Sequence, residues 1–584
     1  MIDDSILLLP MPQTMTHCQG HVGVDMPAAA LAQVGHIDAA AVAQSQGYRL
    51  TIDGDVTLVA HDAAGLFYGR KTLGQLIAQF GAKLPRVRIE DWPDYPRRGV
   101  MLDVSRDKVP TLATLRRLVD KLADWKINQL QLYTEHTFAF AGHEAAWRDA
   151  SPITPAEMRH LDDYCRQRFV ELVPNQNSFG HMGRWLKLPE YRHLAETSRP
   201  WRDPWGTIWD EPMSLCPTDP ACLNFLAGLY DQLLPCFSSR MFSVGCDETW
   251  DVGEGRSKHA CEQRGAGQVY LDFLLKIYEL VKQRNRTMMF WGDIVLKHPQ
   301  LIRQLPKDVV ALVWGYCADY PFDEKTAMFE AAGVPFYVCP GTSMGNAIAG
   351  QIDNALVNIT SAATAGLKHG AIGLLNTEWG DNGHWQPLAP AYLPMAWGAA
   401  MSWAPTANRA LDLCAAMDLH CFADQAGVTA RVIHNLGLAC RKTKLPLLNQ
   451  IRHDHPLVGY DEPLPHGLTS GTLEEGRAWI KQAVAPLADA RMRIDESALI
   501  IDELRYAALM LEHACQLSLA RLRHDGVTAE ALPAATRKTL AEHLGSVLEA
   551  HRAVWLARNR EGGWIDSVRP LHQLALAYGG QAAT

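Results

Sequence analysis

Asp247 and Glu248 stand side by side in the stretch "FSVGCDETWD", directly after the apolar run "MFSVG". Carboxylates are among the residues least often fully buried. A polar strand end with a helix cap would account for one acid, because Asp is common at such positions. Two adjacent acids, with tryptophans nearby in other segments, suggest acid–base work on a sugar. An ordinary glycosidase sets its two carboxylates on opposite sides of the scissile bond, about 5 Å or more apart. Sequence neighbours at one strand end are poorly placed to straddle a bond. Substrate-assisted hydrolysis gives both acids a task, with the substrate's own 2-acetamido oxygen as nucleophile. Glu248 would then protonate the leaving oxygen, and Asp247 would orient the acetamido group and stabilise charge on its nitrogen. Their proximity is also expected to raise one pKa, helping Glu248 hold its proton near neutral pH.

Such a site needs a scaffold, and the chain shows a repeating one between residues 97 and 405. Strand-like runs are "VMLDV" (100–104), "QLQLYT" (129–134), "VELVP" (170–174), "MFSVG" (241–245), "TMMFW" (287–291), "VVALVW" (309–314), "PFYVC" (335–339) and "AIGLLN" (371–376). Helical patterns such as "TLRRLVDKLADWK" and "VYLDFLLKIYELVKQR" separate most of them. Strands alternating with helices predict a parallel sheet, and eight of them predict a closed (β/α)8 TIM barrel. Residues 1–96 read as a small N-terminal α/β domain, with a hairpin signal at Asp53-Gly54-Asp55 and prolines in "DWPDYPRRG" marking its end. Residues 406–584 read as a mostly helical C-terminal domain with no catalytic motif. His453 and His455 in "IRHDHP" read as an ordinary loop, because no matching ligand cluster accompanies them.

In a barrel of this kind the active site sits at the C-terminal ends of the strands. Asp103 and Arg106 follow the first run, Glu135 and His136 the second, and Asn175, Asn177 and His181 the third. Asp247 and Glu248 follow the fourth, "WGD" (291–293) ends the fifth and "WGY" (314–316) the sixth. Tyr337 lies in the seventh, and "NTEWGDNGHW" closes the eighth with Trp379 and Asp381. A lone Trp is often a core filler. Trp291, Trp314 and Trp379 around a carboxylate pair read better as a wall for the C–H faces of a sugar ring. The long Gly-, Pro- and Trp-rich segment after the third run fits a loop over the barrel mouth.

Composition narrows the classes. The chain of 584 residues is 48% hydrophobic and 20% charged, with net charge -9, which argues against a nucleic-acid binder relying on bulk positive charge. Thirteen Cys, none spaced C-x-x-C, read as reduced thiols rather than a disulfide framework. "MIDDSILLLPMPQ" lacks a positive n-region, and no apolar run reaches the about 18 residues needed to span a bilayer. A cytoplasmic protein without membrane contact is expected. No phosphate loop or three-ligand metal set stands out, so no cofactor or metal is expected.

"RRGVMLDVSRD" (97–107), "KINQLQLY" (126–133), "SFGHMG" (178–183), "VGCDETW" (244–250) and "NTEWGDNGHW" (376–385) together resemble glycoside hydrolase family 20, the β-N-acetylhexosaminidases. The similarity spans roughly residues 40 to 400, and the layout is most similar to a bacterial intracellular branch. The resemblance implies an exo-acting, retaining enzyme that removes terminal β-linked GlcNAc or GalNAc from a small glycan or glycoconjugate. It implies Asp247 and Glu248 as the catalytic pair, Arg98 as a clamp on sugar hydroxyls and His181 near the acid/base. It further implies Trp291, Trp314 and Trp379 as pocket walls, Tyr337 as donor to the acetamido oxygen and Asp381 as a hydroxyl holder. Two departures stand out. "YTEHTF" replaces an Asp-rich segment after the second strand, leaving Glu135 as the candidate there, and Cys339 stands where many members carry Asp.

Two other readings compete. One is a non-catalytic sugar-binding protein on the same barrel, which has no need of a general acid. The other is a metal-dependent barrel hydrolase, which a chelator would inactivate. The natural glycan, its linkage and the ring configuration are open at this level, and the C-terminal helices are compatible with a homodimer.

Overall fold

The computed structural model describes residues 6–24, 28–345, 347–381, 383–447 and 456–579. His453 and His455 lie outside these described residues.

The N-terminal sheet contains β1 (Thr14–Gly23), β2 (His36–Ile37), β3 (Tyr48–Asp53), β4 (Asp55–Ala60) and β5 (Lys83–Asp91), in the order β1-β5-β3-β4-β2. β3 and β4 form the expected antiparallel hairpin, with Asp53 opposite Asp55 and Gly54 at φ +84°. The helix Ala63–Phe80 starts at Asp62, whose side chain accepts from the Gly65 N–H at 2.8 Å. It packs Tyr68, Leu73 and Leu76 with Leu50 and Leu58 of the sheet. The polar β1 and the Pro-containing β5 carry weaker patterns, and neither was expected from periodicity.

The barrel follows, with a small ribbon inserted. Its elements in chain order are β6 (Arg97–Asp103), β7 (Gln129–Tyr133), β8 (Glu171–Val173), the ribbon β9 (Trp201–Arg202) and β10 (Ile208–Trp209), then β11 (Met241–Ser243), β12 (Thr287–Trp291), β13 (Val310–Trp314), β14 (Phe336–Cys339) and β15 (Gly373–Glu378). The eight barrel strands are parallel and run β11-β12-β13-β14-β15-β6-β7-β8. The seam closes just beyond β8, where the Ser243 N–H donates to Pro174 O at 2.9 Å and the Gln176 N–H to Ser243 O at 3.0 Å.

Each expected barrel run contains a strand, and the strands alternate faces as a pleat requires. Met289 and Trp291 of β12, Leu312 of β13 and Tyr337 and Cys339 of β14 point into the barrel, while Phe290, Val313 and Val338 join the shell of surrounding helices. Leu112–Asp124 is one of those helices. Thr111 caps it, and Leu115, Leu118, Val119 and Leu122 lie buried along one face.

The C-terminal region is helical, with its longest elements at Ser497–Leu522 and Ala534–Arg558. Arg558 fixes it to the barrel. Its guanidinium meets Glu503 through two bonds of 2.7 Å and also pairs with Glu496. Its carbonyl accepts from Thr111 N–H at 2.9 Å and Thr114 Oγ1 at 2.6 Å. Other contacts hold the segment after β15. Trp385 Nε1 donates to Ser567 O at 2.7 Å, Tyr506 OH donates to Trp385 O at 3.0 Å, and Ser567 Oγ donates to Gly383 O. The helices therefore buttress the loop that carries Trp379 and Asp381.

Candidate active site

One cavity of about 580 Å³ opens at the C-terminal ends of the barrel strands. Asp247, Glu248, Glu135, His181, Trp291, Trp314, Trp379 and Asp381 all line it. These residues come from six different strand ends, so the barrel brings together what the sequence scatters.

The acids sit on a contorted segment. Gly245, Cys246 and Glu248 have φ of +67°, +71° and +49°. A Cβ on Gly245 would lie 1.8 Å from Asn177 Oδ1, and one on Gly180 would lie 2.2 Å from the Asp247 carbonyl. His181 and Asp381 are also left-handed, at +55° and +44°. Such φ values are uncommon outside glycine, and strained backbone of this kind gathers at functional sites.

His181 Nε2 lies 3.4 Å from Asp247 Oδ2 and 3.2 Å from Glu248 Oε2. Burial alone would depress the His181 pKa, but the Asp247 charge and the close approach of both carboxylates outweigh it and hold the value well above the ordinary imidazole range. His181 thus sits between two acids that raise its affinity for a proton. A third carboxyl stands behind them. Asp293 Oδ2 accepts the Glu248 N–H at 3.2 Å. Burial, then the nearby Asp247 charge, push the Asp293 carboxyl up to about 8.

On the other side of the His181 ring Arg106 gathers a second polar cluster, in which Glu135 Oε1 lies 3.8 Å from His181 Nδ1. Arg106 Nη2 lies 3.4 Å from Glu135 Oε1 and 3.5 Å from His181 Nδ1, and its Nη1 lies 3.5 Å from Asp103 Oδ2. The guanidinium also stacks over Tyr133 at 4.5 Å and Trp379 at 5.2 Å. Glu135 is pinned through its carbonyl, which accepts from Trp185 Nε1 at 2.7 Å and Gln176 Nε2 at 2.9 Å. Asp103 braces strand ends, accepting from the Gly380 N–H at 3.0 Å.

The walls are aromatic. Trp379 packs against Tyr133 and Trp291 with ring centroids 4.7 Å and 6.1 Å away, and its Nε1 donates to Tyr316 OH at 2.8 Å. Trp314 stacks on Tyr316 at 5.2 Å. Several buried polar atoms of this lining have no hydrogen-bond partner within the protein, including Trp291 Nε1, Trp314 Nε1, Thr342 Oγ1 and Asp247 Oδ1. Buried polar groups are normally satisfied, so a cluster of exceptions in one cavity marks where a polar ligand completes the bonding.

Two expected site residues are elsewhere. Arg98 is the second residue of β6, at the opposite end of the barrel from the cavity, and is fully buried against the N-terminal domain. Its guanidinium donates to Gln46 Oε1 at 2.9 Å, Tyr68 OH at 3.2 Å and the carbonyls of Lys126 and Tyr95 at 2.9 Å and 2.8 Å. It clamps two domains, and the cavity is lined instead by Arg106 and Arg184. Tyr337, early in β14, points into the lower barrel, where its OH donates to Gln129 Oε1 at 3.0 Å. Tyr316, just past β13, is the tyrosine of the cavity. Cys339 is buried in the barrel interior, and burial pushes its thiol well up, so it offers no sugar contact. Glu378 faces away from the cavity toward Lys108, Glu503 and Arg558.

The comparisons agree with this architecture. Residues 95–344 match "Glycosyl hydrolase family 20, catalytic domain", and residues 9–92 match "Glycosyl hydrolase family 20, domain 2". Together they cover more than half of the chain. The chain belongs to glycosyl hydrolase family 20. Trp379 and Asp381 lie beyond the matched segment. Among curated relatives, a β-hexosaminidase of Akkermansia muciniphila is 26% identical over 289 residues, covering 44% of this chain and 57% of that protein. A Porphyromonas gingivalis β-hexosaminidase is 25% identical over 293 residues, covering 44% of this chain and 37% of that protein. The chain thus spans well under two thirds of either relative. Among solved structures, the Flavobacterium johnsoniae chitobiase matches 95% of this chain and all of its own at TM-score 0.56 and 16% identity. A Streptomyces plicatus N-acetyl-β-hexosaminidase matches 71% and 94% at TM-score 0.54 and 20% identity. At these identities the likeness is one of fold. The Flavobacterium match takes in the C-terminal helices as well as the barrel.

Proposed function

We propose that this protein is an exo-acting, retaining β-N-acetylhexosaminidase that uses its substrate's 2-acetamido group as nucleophile. The observation that carries the reading is that Asp247 and Glu248 both lie within 3.4 Å of one imidazole nitrogen. The oxygens of these two acids lie within 4.8 Å of each other, far short of the roughly 6.5 Å or more of an inverting pair and just under the roughly 5–5.5 Å of a retaining pair, and the two acids are sequence neighbours on one side of His181. Both beside the same His181, they leave no room for a sugar ring between them. Glu135, 3.8 Å from the other nitrogen of the same imidazole, is engaged by Arg106. The nucleophile then comes from the substrate.

In this mechanism the sugar sits on the aromatic floor, and Arg106, Glu135 and Asp381 hold its hydroxyls. Asp247 orients the acetamido group and accepts its N–H as the carbonyl oxygen attacks the anomeric carbon. Glu248 gives its proton to the leaving oxygen, then takes one from the water that opens the oxazolinium-type intermediate. Trp291, Trp314 and Tyr316 exclude water and offer donors near the acetamido pocket. The GlcNAc or GalNAc preference and the natural glycan follow from assay. A thiazoline mimic of the cyclised acetamido group tests the reading, because a site built for that intermediate binds it at least about a hundredfold tighter than free N-acetylglucosamine. Equal inhibition by the two would count against substrate assistance.

A second reading has one observation in its favour. His181, Asp247 and Glu248 each offer a ligand atom within 4.8 Å of the others, a set that could grip a divalent cation. The Arg106 guanidinium, 3.5 Å from His181 Nδ1, places a fixed positive charge against the same cluster and disfavours it. Dialysis against a chelator separates the two. The acetamido mechanism predicts unchanged turnover, and the metal reading predicts loss restored by zinc.

A further inference from the structure

We propose that Gln386 and Lys108 are positioning residues for the sugar pocket, fixing from behind the one peptide unit that aims Trp379 and Asp381 at the substrate. The inference rests on the hydrolase reading above and adds two residues to it. Both are buried, and both lie outside the lining of the active-site cavity.

The turn after β15 is gripped at a single peptide. The Trp379 carbonyl accepts from Gln386 Nε2 at 2.8 Å, and the Gly380 N–H of the same peptide donates to Asp103 Oδ2 at 3.0 Å. Both edges of that plane are therefore held, one by the loop itself and one by the end of β6. Trp379 is attached directly to one side of the plane, and Asp381 comes one residue past the other, so a tilt of the plane moves both side chains. The fit behind it is close, because a Cβ on Gly380 would lie 2.1 Å from His384 Nδ1. Asp381 and His384 follow in the left-handed region, at φ +44° and +43°, a backbone that persists only where its surroundings over-determine it.

Lys108 holds Gln386 in turn. Its Nζ donates to the Gln386 carbonyl at 2.8 Å and lies 5.1 Å from the centre of the Trp555 ring. The Gln386 side chain also bonds the Glu378 carboxylate. Lys108 and Glu378 face one void of about 30 Å³ between the barrel and the C-terminal helices, shared with His384 and His551. A space of that size holds a water or two, so the two charges depend on each other. Burial pushes Glu378 up to about 8 and Lys108 down to about 7, and the charge of each works against the shift of the other. Fastening the helices to the barrel does not require this pair, because Glu503 and Arg558 already do so. The bonds from Lys108 end instead on the main chain of Trp379, whose ring is a wall of the site.

The test measures kcat and KM for p-nitrophenyl 2-acetamido-2-deoxy-β-glucoside in wild type, Gln386→Leu, Lys108→Met and Lys108→Arg. Poor aim weakens the hold on the sugar and leaves Asp247, Glu248 and His181 in place. KM is therefore expected to rise about tenfold in Gln386→Leu and Lys108→Met while kcat stays within about threefold. Tenfold corresponds to about 1.4 kcal/mol of sugar binding. Lys108→Arg keeps the cation and a donor, and is expected to return KM to within about threefold of wild type. Lys108→Met keeps Gln386 and serves should Gln386→Leu not fold. KM within about twofold of wild type in the folded variants, with only the melting temperature lowered, overturns the positioning role and leaves a structural one. An Arg variant as impaired as the Met variant overturns the part given to the cation. A fall in kcat at unchanged KM overturns the proposal as well, because the effect then lies on the acids and not on the sugar. Folded wild type that does not cleave the glycoside overturns the hydrolase reading itself.

Discussion

His181 Nε2 lies 3.2 Å from Glu248 Oε2, and the same nitrogen lies 3.4 Å from Asp247. One imidazole thus stands beside two neighbouring acids, with Glu135 3.8 Å from its other nitrogen.

Glu248→Gln keeps the shape and removes the proton. Turnover of substrates with poor leaving groups is expected to fall roughly 10²- to 10⁴-fold, the usual worth of a positioned acid. Activated aryl glycosides, whose leaving groups need less protonation, should lose much less. Steady-state kinetics on both classes checks this, and an equal loss would exclude Glu248 as the acid.

Asp247→Asn is expected to lower kcat by roughly 10²- to 10³-fold, the scale for loss of one preorganised electrostatic partner. The unfolding midpoint should change little, which circular dichroism would show alongside the kinetics. Near-normal turnover would remove the acetamido group from the mechanism.

Arg106 and Arg98 should part company. Arg106→Ala is expected to cut kcat/KM by 10²-fold or more, because its neighbours Glu135 and Asp381 lose their counter-charge beside the substrate. Arg98→Ala leaves Gln46 and several carbonyls unpaired between two domains, and is expected to cost roughly 3 kcal/mol of stability. Its turnover per folded molecule should survive. Chemical denaturation and active-site titration separate the two effects.

Asp293 makes the site sensitive to alkali. In the unfolded chain its carboxyl releases a proton near the ordinary value of 3.8, and in the folded protein near 8. Between those values the folded state holds the extra proton. Raising pH therefore works against folding through this group, and the cost is complete above about 8. Above that pH a third negative charge also stands behind Asp247 and Glu248. Activity is expected to decline through about pH 8, and Asp293→Asn should shift that limb and flatten the stability profile. An unaltered limb in the variant would clear Asp293 of the effect.

Glu503→Ala strands the Arg558 guanidinium in the interface between the barrel and the C-terminal helices. Removing one partner of a buried pair costs roughly 3–5 kcal/mol. The predicted signature is a lower melting temperature with KM raised through loosening of the loop that carries Trp379 and Asp381.

The barrel was legible because its strands are apolar on both faces, and runs such as "TMMFW" can bury themselves only inside a helix-coated sheet. Site residues were legible where they sit at or beyond a strand's last position. Trp291 and Trp314 end β12 and β13, and Glu135, Asp247 and Trp379 follow their strands within a few residues. Arg98 and Tyr337 were assigned by family resemblance, against that rule. Arg98 is second in β6 and Tyr337 second in β14, so both belong to the far end of the barrel, while Arg106 and Tyr316 lie past strand ends as the rule requires. The support of the β15 loop by Ser567 and Tyr506 was not legible, because contacts between segments more than a hundred residues apart leave no local pattern.

The central claim, that the substrate supplies the nucleophile, is tested most directly with paired p-nitrophenyl β-glycosides, one bearing a 2-acetamido and one a 2-hydroxyl group. An intramolecular nucleophile carries an effective molarity large enough to favour the acetamido member by roughly a thousandfold or more in kcat/KM. Comparable cleavage of both would contradict the account and require a nucleophile on the protein.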